Sequence, residues 1–66
     1  MDMQPTVREM EVLEHIAQGK MNKEIAVGLG ISDFTVRDHV SSLLRKLGAK
    51  NRTELASKYA VGMQAS

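Results

Sequence analysis

Glycines divide this chain into short blocks whose apolar residues recur at helical spacing, and this pattern most constrains the fold. Gly19, Gly30 and Gly48 each follow such a block, as expected for residues that end helices. β-Branched residues occur singly or in adjacent pairs, and alternation of apolar and polar residues does not persist beyond five positions. The sequence therefore predicts an all-α chain with four helices, at about residues 7–18, 22–29, 33–47 and 52–62.

Polar residues at the predicted helix starts support these boundaries. Thr6, with Glu9 three positions later, forms a capping-box pattern. Ser32 is a favoured N-cap residue for the third helix, as Asn51 is for the fourth. The expected inward faces of the four helices are, in chain order, Met10, Leu13, Ile16 and Ala17; Ile25, Ala26 and Leu29; Val36, Val40, Leu43, Leu44 and Leu47; and Leu55, Ala56, Tyr59, Ala60 and Met63.

A length of 66 residues leaves room for one domain, which we take to span residues 1–66. The lack of cysteine excludes a disulfide framework and a thiolate zinc site, and two histidines, His15 and His39, are too few for a metal cage. No apolar run approaches the roughly 18 residues of a membrane helix, and no signal peptide opens the chain. These features predict a soluble cytoplasmic domain without a cofactor, metal or small-molecule ligand.

The second and third blocks form a helix-turn-helix pattern at about residues 22–47. Ala26 is small where the two helices would cross, and Gly30 can adopt the positive φ that a tight turn requires. Ile31 and Val36 are apolar where the turn and the following helix would meet the core. Because helix pairs of this layout also occur in proteins that do not bind DNA, the layout favours DNA binding without deciding it.

The polar side of the third helix carries side chains suited to DNA bases. The side opposite the apolar face presents Phe34, Asp38, Ser41, Ser42 and Arg45, with Thr35 and Arg37 on its two shoulders. Arg37 is the best candidate for reading a base, because a bidentate contact with guanine discriminates by about 1–3 kcal/mol. The alternative is a solvated arginine that pairs with Asp33 or Asp38. Asp38 itself can accept from a cytosine amino group, yet every nearby phosphate repels it.

Phe34 has two interpretations. It either tucks against the preceding helix or is offered to a partner, where it would suit a thymine methyl group or a sugar face. Ser41 is a permissive donor, and exposed helix serines often have no particular role. We treat four side chains as candidate base contacts and refer to them as the reading face: Phe34, Arg37, Asp38 and Ser41.

A second set of side chains is suited to the phosphate backbone, which positions a protein without reading sequence. These candidates are Asn22, Lys23, Thr35, Ser42, Arg45 and Lys46. For Arg45 and Lys46 an equal alternative is stabilisation by the helix dipole, which favours cations in the last turn. Residues 1–31 carry three basic and five acidic side chains, and residues 32–66 carry six and three, so the second half is the more basic one. That asymmetry suits phosphate binding and also suits a solvated surface.

Taken together, the motifs resemble the LuxR/FixJ-type (GerE-like) DNA-binding domain of bacterial transcription regulators. They are TVREMEVL at 6–13, AQG at 17–19, NKEIA at 22–26, LGIS at 29–32, TVRDH at 35–39, KLG at 46–48 and RTE at 52–54. They follow the family's order and spacing over about residues 5–62, which makes the combination specific. The resemblance implies a four-helix domain in which helices two and three form the helix-turn-helix, with no catalytic activity.

The resemblance also implies roles for individual residues. Arg37 matches the basic position of the family's Thr-Val-Lys/Arg motif, which is used for groove contacts. Asp38 and Ser41 match neighbouring positions that vary between members and tune sequence choice. Thr35, Lys23 and Lys46 match polar or basic positions that approach the phosphate backbone in such domains.

In this family the fourth helix commonly forms a two-fold dimer on DNA. The corresponding face here is polar and consists of Glu54, Ser57, Lys58 and Val61. We therefore expect weak dimerisation in the absence of DNA. Two further departures concern helix starts: Pro5 stands where leucine usually precedes the capping threonine, and Met21 stands where serine or threonine often caps the second helix, leaving Asn22 as the expected cap.

These observations predict sequence-specific binding of double-stranded DNA as the effector domain of a bacterial transcription regulator. The domain is either part of a longer protein with a receiver or ligand-sensing domain, or a stand-alone regulator. The main alternative is a helix-turn-helix module that binds a protein such as RNA polymerase, favoured by the modest pI and by Asp38. An enzyme lacks support, because the sequence holds no paired carboxylates, glycine-rich phosphate loop or nucleophile beside a base.

Overall fold

Four helices follow one another in the computed structural model, which describes residues 4–64 and the side chains of residues 4–59. They are α1 (Val7–Ala17), α2 (Asn22–Leu29), α3 (Asp33–Leu47) and α4 (Arg52–Gln64). The prediction of an all-α, four-helix chain is confirmed, and each helix end lies within two residues of its expected place. α1 packs against α3 and α4, whereas α2 packs against α3.

Three helix starts are capped as their sequences predict. The Thr6 hydroxyl accepts from the Glu9 backbone N–H at 3.1 Å, while the Glu9 carboxylate accepts from the Thr6 N–H at 2.8 Å. Ser32 accepts from the backbone N–H of α3's third residue at 3.0 Å. The Asn51 side chain accepts from the Glu54 N–H at 2.9 Å, so it caps α4. Such caps each contribute about 1 kcal/mol.

The expected cap of α2 is wrong. Met21, not Asn22, occupies the N-cap position, with an extended backbone at φ −87° and ψ 161°. The Glu24 carboxylate reaches back and accepts from the Met21 N–H at 2.8 Å, which satisfies one of the free backbone donors at this helix start. Asn22 is the first helical residue, and its side-chain oxygen is engaged by Arg52 instead.

One cluster of buried residues holds the helices together. It consists of Val12, Leu13, Ile16, Ile25, Ala26, Val36, Leu43 and Leu55. The remaining apolar residues expected on α2 and α3, and Ala56 and Tyr59 of α4, pack against it while partly exposed. The expected inward positions Ala60 and Met63 lie outside the described side chains.

The inward face of α1 differs from the expected one. Met10 is 42% exposed and Ala17 is exposed, whereas Val12 and Glu9 are buried. The helix is therefore turned so that a carboxylate, rather than a methionine, faces the core. This orientation depends on Lys46, which neutralises Glu9 from 37 residues away in the chain. Burial of a carboxylate without a partner would be too costly, so the sequence alone predicts that Met10, and not Glu9, faces the core.

Candidate nucleic-acid interface

The turn between α2 and α3 brings the two helices into close contact. Gly30 ends α2 in the left-handed region at φ +68°, where a side chain would be strained. The Ile31 N–H donates to the carbonyl of Ala26 at 3.0 Å, and Ala26 is 7% exposed. Val36 is fully buried below. Ile31 packs against the buried core, so Gly30, Ile31 and Val36 lie as the helix-turn-helix pattern predicts.

All four side chains of the reading face line one open cleft of about 280 Å³ on the outer side of α3. Each of the four residues is exposed. Val36 and Leu43 on the opposite side of α3 are fully buried, which fixes the rotation of the helix. The structure therefore brings together every side chain that the sequence nominates for base contact.

Phe34 does not tuck against α2, so that interpretation is wrong. Its exposed fraction is 73%. The reason is geometric: Phe34 precedes the buried Val36 by two residues, which is about 200° around the helix. A residue at that angle points away from the core.

Arg37 forms an exposed ion pair with Asp33, at 3.7 Å between Nε and Oδ2. The two side chains are 63% and 51% exposed. Exposed pairs four residues apart on a helix contribute about 0.3–0.5 kcal/mol. The pair is thus too weak to withhold Arg37 from a stronger anionic or bidentate partner.

Two of the six candidate phosphate contacts, Lys23 and Arg45, have exposed side chains. Thr35 shares a 2.8 Å hydrogen bond with the Ser32 hydroxyl, and Asn22 accepts from Arg52 at 2.6 Å. These two polar groups help to hold the helix-turn-helix in shape. Their contact with phosphate stays a prediction.

Lys46 lies at the end of α3 and forms a largely buried ion pair with Glu9 at the start of α1. Its ammonium group is 2.7 Å from the Glu9 carboxylate, and the two side chains are 19% and 7% exposed. The half-buried Ser42 favours the ionised form of the same carboxylate. Phosphate contact by Lys46 or Ser42 stays a prediction. Such a contact would compete with their interactions with Glu9.

The ionised form of Glu9 is favoured by its partners. Burial alone raises the pKa of the carboxyl, but hydrogen bonds from Lys46, from Ser42 and from the Thr6 backbone oppose it. The positive charge of Lys46 adds to them, and the pKa falls from 4.5 to about 2. This cluster therefore joins α1 to α3 behind the reading face.

Arg52 is a structural residue that the sequence reasoning missed. Its guanidinium group donates to the Asn22 side chain and to the backbone carbonyl of Lys20. It thereby joins the start of α4 to the turn before α2. The RTE motif at 52–54 marks this residue, but no local pattern reveals a partner 30 residues away.

The predicted dimer face lies on α4. Ser57 and Lys58 are exposed, whereas Glu54 is half-buried and accepts from the Lys50 backbone N–H at 2.9 Å. Val61 lies within α4, but its side chain is outside the described residues. Dimerisation through this face stays a prediction.

Within residues 4–64, none of the helices has the length and apolar content needed to cross a membrane. The same part of the chain holds no group of three or more His, Asp or Glu side chains arranged to bind a metal.

Known proteins provide an independent comparison. Residues 4–59 match the family model GerE, described as bacterial regulatory proteins of the luxR family. The chain is 57% identical over 53 residues to the uncharacterized transcriptional regulatory protein YhcZ of Bacillus subtilis (strain 168), covering 80% of this chain and 25% of that protein. It is 51% identical over 47 residues to the nitrate/nitrite response regulator protein NarP of Escherichia coli (strain K12), covering 71% and 22%.

A shorter relative is the spore germination protein GerE of Bacillus subtilis (strain 168). Identity is 51% over 49 residues, covering 74% of this chain and 66% of that protein. In contrast, the chain spans about a quarter of the length of YhcZ and NarP.

Proposed function

This chain belongs to the LuxR family of bacterial regulatory proteins, and we propose that its helix α3 reads base pairs from the major groove of double-stranded DNA. It is a helix-turn-helix DNA-binding domain of that family, which is not a family of enzymes. The proposed role is that of the effector domain of a transcription regulator, acting on chromosomal DNA in the cytoplasm.

A single observation carries this proposal: four chemically different side chains share one exposed cleft on α3. Arg37 supplies the paired donors that suit guanine, and Asp38 supplies acceptors for a cytosine amino group. Ser41 can donate or accept, and Phe34 offers an apolar surface. The major groove displays a distinct donor, acceptor and methyl pattern for each base pair, which such a mixed face can distinguish.

Phosphate contacts are proposed for Lys23 on α2 and Arg45 on α3. Both side chains are exposed. Thr35 and Lys46 bond within the chain through groups that would donate to a backbone oxygen, and Ser42 favours the Glu9 carboxylate. Asn22 accepts from Arg52 through its side-chain oxygen, a bond that does not use its amide donors. Lys23 and Arg45 are then the cations of this set that we expect to contribute most directly to the salt dependence of binding. Each should make the slope of log affinity against log salt concentration more negative by about one.

Selection from a random duplex library at about 50 and 200 mM salt tests the proposal. An enriched motif and a steep loss of affinity at the higher salt concentration are expected. Arg37→Ala should relax specificity at one or two base pairs and cost about 1–3 kcal/mol at the preferred site. Lys23→Ala should weaken all duplexes alike, whereas Arg8→Ala on the first turn of α1 should leave both affinity and specificity unchanged.

The contrary result is a folded chain that enriches no sequence and responds only weakly to salt. That outcome favours the alternative of a protein-binding module, for which RNA polymerase is the natural partner to test. If Arg37→Ala weakens all sequences equally, Arg37 contacts phosphate and does not read a base.

A weak two-fold dimer on DNA is a further part of the proposal. Ser57 and Lys58 are exposed on α4, while Leu55 is fully buried in the core, so among the described side chains these two face away from the core, where a second copy could bind. An inverted repeat in the selected sites, with centres about one helical turn apart, is the expected sign. A single site bound by one copy would exclude the dimer and retain DNA reading.

A further inference from the structure

We propose that Phe34 recognises the C5-methyl group of a thymine, so that the preferred site carries a thymine one or two base pairs from the guanine contacted by Arg37. This inference rests on the proposed function and specifies one part of the sequence that the domain reads. It concerns the least polar member of the reading face.

The position of Phe34 distinguishes it from other exposed apolar residues. Val7 and Val27 are 81% and 80% exposed, and single residues of this kind are ordinary on protein surfaces. Phe34 instead lines the same cleft as Arg37, Asp38 and Ser41. It also lies in the first turn of α3, the part of a recognition helix that contacts base edges.

The chemistry of the side chain selects one base. A phenyl ring has no hydrogen-bond donor or acceptor, so it cannot read the polar edges of guanine, adenine or cytosine. Thymine alone displays a methyl group in the major groove, and an apolar side chain can cover it. Contact with the ring would remove both apolar surfaces from water.

Charge argues against a deoxyribose as the partner of Phe34. Each sugar lies between two phosphates, and Asp33 is adjacent to Phe34 in the chain, with Asp38 one helical turn further on. Both carboxylates are exposed and would be repelled by the backbone. A partner on the floor of the groove avoids much of that repulsion.

Helix geometry relates this contact to that of Arg37. Phe34 and Arg37 are three residues apart, which is about 4.5 Å along α3. Successive base pairs are about 3.4 Å apart. The two side chains therefore address base pairs that are adjacent or separated by one.

Replacement of thymine by deoxyuridine tests the inference, because it removes the methyl group and leaves the base-pairing edge intact. Each thymine of the selected site is replaced in turn, and the dissociation constant is measured by fluorescence anisotropy. At one position near the guanine, the replacement should weaken binding of the wild-type domain about fourfold. This factor corresponds to about 0.8 kcal/mol, the value for one buried methylene-sized group.

The variant Phe34→Ala should bind the thymine and deoxyuridine duplexes equally well at that position. Val7→Ala is the matched control: it also shortens an exposed apolar side chain and should retain the fourfold difference. Melting curves of both variants check folding, which the high exposure of both residues should leave intact.

Two results overturn the inference while leaving the proposed function standing. Either the wild-type domain accepts deoxyuridine at every position, or the fourfold penalty persists in Phe34→Ala. In the second case, an equal loss of affinity for both duplexes would assign Phe34 to a sugar. Failure of the wild-type chain to select any DNA sequence would instead refute the proposed function, and this inference with it.

Discussion

Replacement of Lys46 by alanine decides between two roles for this residue, phosphate contact and internal ion pairing. The substitution removes the ammonium group that lies 2.7 Å from the Glu9 carboxylate. That carboxylate is 93% buried, counting its side chain alone, so water replaces the lost partner poorly. We therefore expect the main effect of Lys46→Ala on stability rather than on DNA affinity.

The magnitude follows from the pKa of Glu9. A fall from 4.5 to about 2 means that the folded protein stabilises the ionised carboxylate by about 3 kcal/mol relative to its protonated form. Removal of one partner of a buried ion pair typically costs about 3–5 kcal/mol. A chain of this length has a total stability of about 3–10 kcal/mol. Lys46→Ala should thus lose about 3 kcal/mol, which lowers Tm by about 12–24 °C.

Thermal melting followed by circular dichroism near neutral pH measures this effect. Arg8→Ala is the matched control, because it breaks the exposed Arg8–Glu11 pair, 3.5 Å long, and should change Tm little. The double variant Glu9→Gln/Lys46→Met should recover much of the lost stability, since neither a buried charge nor an unpaired one remains.

The reasoning is refuted if Lys46→Ala melts within the range of Arg8→Ala and still binds every duplex more weakly. A decrease of about one in the salt slope would then identify Lys46 as a phosphate contact. In that case the ion pair with Glu9 would exist without stabilising the fold.

Three further predictions concern the scaffold of the reading face. Because the pKa of Glu9 is lowered in the folded protein, its ionised carboxylate stabilises the fold above about pH 4.5, and this contribution is lost as the pH falls towards 2. Urea unfolding across that range should show that the free energy of unfolding falls by about 3 kcal/mol through this group. That part of the decrease should be absent in Glu9→Gln. Arg52→Lys should lower the free energy of unfolding, measured with urea, by about 1–2 kcal/mol, because an ammonium group does not reproduce the two contacts of the guanidinium group. Unchanged stability would show that these contacts are dispensable. Gly30→Ala should lower stability by about 1–2 kcal/mol, because Gly30 has a positive φ. Gly28→Ala should raise stability by about 0.5–1 kcal/mol, because Gly28 lies inside α2 with open space around it. Equal changes in Tm for the two variants would contradict this distinction.

The local features of this chain could be read from its sequence. Caps at Thr6, Ser32 and Asn51 and the left-handed turn at Gly30 involve residues within a few positions of one another. The reading face follows from the same short range, because positions 34, 37, 38 and 41 share a side of any helix that buries Val36 and Leu43. Helical periodicity and chain stereochemistry are sufficient for such predictions.

The N-cap of α2 shows where even local prediction failed. Met21 has no side chain suited to capping, so the sequence predicts Asn22 as the N-cap residue. The chain instead uses the Glu24 carboxylate for the Met21 N–H and leaves the Asn22 oxygen to Arg52. A contact with α4 thus changed the role of a residue on α2.

Tertiary structure alone decided which side of α1 faces the core and which candidate phosphate contacts already bond within the chain. Both depend on pairs far apart in the chain: Lys46 with Glu9 across 37 residues, and Arg52 with Asn22 across 30. Helical periodicity predicts which residues share a face of a helix. It does not predict which charged residue, far away in the chain, neutralises a carboxylate on that face. Because the cost of burying Glu9 depends on that partner, the orientation of α1 and the ion pair of Lys46 with Glu9 arise only when the helices pack together.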